Sequence, residues 1–309
     1  MKKPLFVLFS MLIGLACKND VKPGSDDGTP AKTSRKTVVY VSNYPLYYFA
    51  QRIGGSALDL RFPAGNAENP SDWMPSAEEV SAMQDADLIL LNGATYEGWL
   101  MNVSLPDSLM IDTSVDFTSR LLPSGATFTH SHGADGEHSH EGVASKTWLD
   151  LELAAKQAEA TSRSLMRKSP GQVELFKANA ETLVGELLEL DREYKALSEK
   201  GSFPKPAFSK PIFQYLAHGY GLEGPSLGWE SDTALDHDKL HEIGHLRKDP
   251  GIQVLIWADR PQEATVNKLK ESGIQSVILN PLDTQPESGD FLTGMLSNLQ
   301  ALKSVIPQG

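Results

Sequence analysis

An α/β fold of two lobes, each a mainly parallel sheet flanked by helices and the two joined by one long helix, is the architecture this sequence predicts. Three observations carry it. Asp87-Leu-Ile-Leu-Leu-Asn92 and Gln253-Val-Leu-Ile-Trp257 are almost unbroken apolar runs of strand length, and strands this apolar have both faces covered, as in parallel sheets layered by helices. Strand-like and helix-like stretches alternate in both halves of the chain. Between the halves, Gly171 to Leu197 carries a helical rhythm through Val173, Phe176, Leu183, Leu187, Leu188 and Leu190. At about 1.5 Å per residue this helix would be on the order of 40 Å long, which suits a strut between lobes.

The elements follow in order. Met1-Lys2-Lys3 is a basic start, and residues 5–16 form an apolar run ending in Ala16-Cys17. The run is short for a permanent span and reads as a secretory signal, 1–17, with the only cysteine of the chain at a lipoprotein-type processing point. Residues 18–35, rich in Lys, Asp, Gly, Pro, Ser and Thr, read as a flexible tether. An N-terminal lobe is expected over 36–168. It opens with the β-branched strand Lys36 to Ser42, followed by a helix through Leu46, Phe49 and Ile53, a short strand at Ala57 to Phe62, and a helix starting at Pro75 with acidic residues in its first turn. The linking helix is expected over 169–200 and a C-terminal lobe over 201–309. That lobe carries helices at Pro211 to Tyr220, Lys239 to Leu246, Ala264 to Ser272 and Asp290 to Leu302, and a strand at Ser276 to Leu279.

Function is first suggested by Thr129-His-Ser-His-Gly-Ala-Asp-Gly-Glu-His-Ser-His-Glu141, which holds four of the eight histidines. Neutral imidazole is a good ligand for zinc, copper and nickel, and two H-x-H pairs joined by the pliable Gly133-Ala-Asp-Gly136 can turn back on one ion. The formal charge of −12 disfavours nucleic acid as a partner and suits cations.

Five segments then carry a resemblance. Pro70-Ser-Asp-Trp-Met-Pro-Ser-Ala-Glu-Glu-Val, Ala86-Asp-Leu-Ile-Leu-Leu-Asn-Gly-Ala-Thr-Tyr-Glu-Gly-Trp99, Thr147-Trp-Leu-Asp-Leu, Phe213-Gln-Tyr-Leu-Ala-His-Gly-Tyr-Gly-Leu222 and Leu279-Asn-Pro-Leu282 stand in one order from about residue 36 onward. Together they resemble the metal-binding solute-binding proteins of ABC importers for zinc and manganese, the ZnuA/TroA-like cluster A-I family. The resemblance implies a metal bound in a cleft between the lobes. It also implies where ligands should stand, and there the chain departs. A histidine is expected where Ser71 stands, a second where Lys146 stands, a third where Lys210 stands, and a carboxylate where Asn280 stands. An ammonium is positive and offers no lone pair, so two lysines oppose a divalent cation.

The metal ligands expected from the sequence are therefore His130, His132, His138 and His140, with Glu141, Glu230 and Asp259 as a second tier. Relatives often carry a histidine-rich loop here as an accessory collector, and a loose accessory loop and an incidental polar linker are the alternatives to a defined site. Zn²⁺ is the expected ion, with Cu²⁺, Ni²⁺ or Mn²⁺ as alternatives. The expected protein is an exported, lipid-anchored monomer, attached to a bacterial membrane through Cys17, which delivers the ion to an ABC permease. A metallochaperone or metal buffer without a permease is the rival reading. No nucleophile-and-base set marks an enzyme. His241-Glu-Ile-Gly-His245 does match the zincin motif literally, making a zinc hydrolase the distant alternative, but His237, His241 and His245 read more simply as a solvated helical face. Trp99, Trp148 and Tyr215 read as packing aromatics, Trp73 as a residue lining the cleft, and Lys146 and Lys210 as possible partners of cleft carboxylates.

Overall fold

The N-terminal sheet consists of β1 (Thr37–Val41), β2 (Leu58–Arg61), β3 (Leu88–Leu91) and β4 (Met110–Asp112), ordered β2-β1-β3-β4 and parallel throughout. The computed structural model describes residues 35–131, 137–198, 203–249 and 251–307, with backbone only for 126–131 and 137–141. Cys17, the signal and all of the tether but Arg35 lie outside the described residues. Lys36–Gly309 forms one compact unit.

The apolar strand runs are explained by which face each residue serves. Side chains alternate along a strand. Val39, Val41, Leu88 and Leu90 enter the large core cluster, whereas Tyr40, Ile89 and Leu91 enter a separate one with Met83 and Trp99. The sheet is thus covered on both faces, as its composition predicts.

Helix α1 (Tyr44–Gly54) begins where the Asn43 side chain accepts from Leu46 N at 3.0 Å, and it ends at Gly55, whose φ is +49°. α2 (Ala77–Gln84) has a reciprocal cap, with Glu79 N donating to Ser76 Oγ and Ser76 N to the Glu79 carboxylate. α3 (Leu151–Lys168) starts at Asp150, which accepts from Glu152 N at 2.9 Å and Leu153 N at 3.2 Å and pairs with Arg120 at 2.9 Å. Asp150→Ala is expected to cost about 1–2 kcal/mol, the size of a lost cap with little added for the half-exposed arginine. Chemical denaturation would measure it.

The strut is α4 (Val173–Lys195), 23 residues and about 35 Å long. It is shorter than the expected rhythm because Pro170–Gln172 forms a 3₁₀ turn instead of a helical start. It packs on α1 and α3 at one side and on α8 (Phe291–Lys303) of the other lobe. Phe176, Leu183, Leu187, Leu190 and Tyr194 are buried along it, within a core that runs through both lobes.

The C-terminal sheet is β7 (Pro206–Phe208), β8 (Val254–Trp257) and β9 (Gln275–Ile278), parallel in that order. Val254 and Ile256 face the shared core, while Leu255 and Trp257 join a cluster with Trp229, Ile243 and Leu269. α5 (Gln214–Gly219) is shorter than the expected Pro211 to Tyr220, because Pro211 and Ile212 belong to the turn after β7. α6 (His237–Lys248) and α7 (Glu263–Glu271) fall where their patterns place them.

One element differs in kind from its sequence expectation. The flanks of the histidine segment, β5 (Pro123–Ser131) and β6 (Glu137–Val143), pair antiparallel as a two-stranded ribbon, and the linker 133–136 expected to be pliable lies outside the described residues. Thr127-Phe128-Thr129 supplies the β-branched and aromatic residues that favour such a strand. β4 and β7, three residues each, are too short to show a period.

Candidate metal centre

In the C-terminal lobe the cleft is built from strand ends. Lys210 follows β7, Asp259 follows β8, and Asn280-Pro-Leu-Asp283 follows β9, the edge where open parallel sheets gather ligands. The N-terminal lobe supplies Pro70–Asp72, a 3₁₀ turn, and Lys146, which precedes another at Thr147–Leu149. Ser71, Trp73, Lys146, Lys210, Asp259 and Asp283 line one cleft of about 650 Å³. Three of the four positions where the resemblance predicts ligands therefore do converge. Asn280 adjoins the lining residue Pro281, and its Oδ1 accepts from Leu282 N at 2.8 Å.

The side chains at these positions bind one another. Lys146 forms an ion pair with Asp283, and its ammonium lies 5.6 Å from the centre of the Trp148 ring. Burial pushes the Asp283 carboxyl above its ordinary value, and Lys146 beside it offsets part of that rise. Lys210 donates to Glu230 at 2.8 Å and to Asp259 at 3.1 Å, and these bonds, Glu230 first, raise its pKa. The second-tier ligands Glu230 and Asp259 are thus engaged by an ammonium. Asp283 was not among the residues singled out from sequence, although it stands just past the Asn280-Pro-Leu segment. Its position relative to a strand end was the available signal.

The segment before Lys146 is held by a buried polar relay. Gly93, Ala94 and Thr95 all have positive φ, and this turn is secured by Glu97, which accepts from Asn92 N at 2.6 Å and Gly93 N at 3.1 Å. Asn92 Nδ2 in turn donates to Ser145 O at 2.8 Å. Burial pushes the Glu97 carboxyl up from 4.5 to about 7, against the hydrogen bonds it accepts. A carboxyl raised in the folded state binds protons more tightly there than in the unfolded chain. Its contribution is complete below pH 4.5 and is lost as pH rises through about 7. Glu97→Gln is expected to flatten this slope, on the order of 3 kcal/mol between pH 4.5 and 7; urea titrations at several pH values would read it.

In the ribbon, the register sets His130 opposite His138 and Phe128 opposite His140. With a period of two, 130, 138 and 140 are positions on one face of the ribbon. His132 lies outside the described residues.

The zincin-like segment lies on α6. His241 and His245 rings are 4.6 Å apart and exposed, and Glu242 is bonded to Lys239 at 2.8 Å, which occupies the carboxylate a zincin would use as its base. Among the described residues no group of three or more histidine, cysteine, aspartate or glutamate side chains is gathered to hold a metal.

A family model described as zinc-uptake complex component A, periplasmic, matches residues 39–305. The chain belongs to this family. The description names a component of a zinc-uptake complex. The zinc-binding lipoprotein AdcA of Streptococcus pneumoniae is 27% identical over an alignment covering 100% of this chain and 62% of that protein, so the chain spans about three-fifths of this relative. The high-affinity zinc uptake system protein ZnuA of Bacillus subtilis is 25% identical, with 97% of this chain and 96% of that protein covered. Among solved structures, the Zn(II)-bound ZnuA-like domain of Streptococcus pneumoniae AdcA matches with a TM-score of 0.73 at 26% identity, over 88% of this chain and 100% of that one.

Proposed function

We propose that this protein is an exported, lipid-anchored receptor that binds Zn²⁺ or a related transition-metal ion and hands it to an ABC importer. The ligands in this reading are His130, His132, His138 and His140, with Glu141 completing or orienting the set. The observation that carries it is the register of the ribbon, which sets His130 against His138 on a body of the zinc-uptake family. Relatives named as zinc-binding support the choice of ion, and the family's periplasmic description supports export. Cys17 provides the anchor, and the boundaries 36–168, 169–200 and 201–309 give the two lobes and the strut.

A metal buffer with no permease is the second reading, favoured by the cleft positions Ser71, Lys146, Lys210 and Asn280, which present no metal-binding set. Calorimetry with Zn²⁺, Cu²⁺, Ni²⁺ and Mn²⁺ tests the core of the proposal. Imidazole ligation ranks Mn²⁺ weakest. Failure to bind any of the four ions would sink both readings, whereas binding without stimulation of a reconstituted permease's ATPase would favour the buffer.

A further inference from the structure

The positions where ligands are missing from the cleft are not idle. Ser71 Oγ donates to Asn69 Oδ1 at 3.0 Å, Lys210 holds Glu230 and Asp259, and Asn280 holds Leu282 N. Lys146 and Asp283, each with its side chain 12% exposed, are paired across the cleft, one from the segment before α3 and the other from the segment after β9. The same two segments are joined by Trp148 Nε1, which donates to Pro281 O at 2.8 Å, and Tyr44 N donates to Asp283 O at 3.3 Å.

We infer that Lys146 and Lys210 are specificity-determining residues, built-in counter-ions that stand where a divalent cation's charge would be and so exclude a bare cation from the cleft. Asp283 is paired with Lys146, and Asp259 and Glu230 share Lys210, while Asp72 of the same cleft bonds Asn69 and Ser71. An entering dication would have to displace the ammonium groups and then sit beside two positive charges in a partly desolvated space. Lys146 also performs the joining that a bridging ion would perform, so the two segments are held together without cargo. Lys210 acts within its own lobe and settles only the charge.

This inference stands apart from the histidine ribbon and is tested by zinc calorimetry on the full chain. Asp283→Asn and Asp259→Asn are each expected to leave the zinc affinity within about twofold, because neither carboxylate holds the ion. In a chain whose four ribbon histidines are replaced by alanine, S71H/K146H/K210H/N280D is expected to gain one zinc site, about a hundredfold tighter than its ribbon-free parent. A tenfold or greater loss with either asparagine variant would overturn the inference, as would no gain in a natively folded quadruple variant. Should the quadruple variant fail to fold, the asparagine pair decides alone. If the ribbon-free chain and both asparagine variants keep full zinc affinity, the ribbon proposal fails while the exclusion of metal from the cleft holds.

Discussion

Replacing His130, His132, His138 and His140 together with alanine is expected to weaken Zn²⁺ binding by at least about a hundredfold, while leaving the melting temperature of the metal-free protein almost unchanged. The two parts of this expectation have separate causes. The affinity falls because four imidazoles are lost and Glu141 alone cannot replace them as a zinc-binding set. Stability is spared because a two-stranded ribbon contributes little of the core, which runs instead through α1, α3, α4 and α8. Single replacements are expected to be unequal. His130 and His138 stand opposite each other in the register, so losing either should cost more than losing His140, whose register partner is Phe128. Unchanged affinity in the fourfold variant, measured by competition with a zinc chelator, would show that the ribbon is not the site.

The largest loss of stability is expected from Lys146→Met. The substitution keeps much of the apolar stem over Trp148 but leaves Asp283 buried without its ammonium. Breaking one side of a buried pair costs about 3–5 kcal/mol, which for a body of this size is a fall of roughly 10 °C in Tm. The penalty should be greatest at neutral pH. Burial already raises the Asp283 carboxyl, and removing Lys146 takes away the charge that held it down, so acidification protonates it and relieves the variant. Lys146→Met combined with Asp283→Leu is expected to recover most of the loss, since a buried pair replaced on both sides by apolar groups is often neutral. Equal stability of the single variant and the parent across pH 5 to 8 would mean that the pair is solvated in solution.

Much of the fold was legible because it follows from short-range patterns. Apolar runs at Asp87 to Asn92 and Gln253 to Trp257 forced covered strands, Pro75 with the acidic residues after it marked a helix start close to Ala77, and the rhythm of Val173 to Leu190 announced the strut. β4 and β7 are not legible because three residues display no period, and the ribbon is not because its strand-forming residues are confined to Thr127-Phe128-Thr129, while the partner strand is mostly histidine, serine, glutamate and glycine.

For the site, the chain by itself determined which residue types are available: four histidines within one short segment, and serine, two lysines and an asparagine where a metal receptor's ligands are expected. Only the tertiary structure decided that Ser71, Lys146 and Lys210 share one cleft, and that Asp283, Glu230 and Asp259 answer the lysines there. The reason is physical. Residue chemistry is a local property and can be read from the chain, whereas pairing between groups 137 positions apart, as for Lys146 and Asp283, exists only once two sheets and a strut have brought their strand ends together.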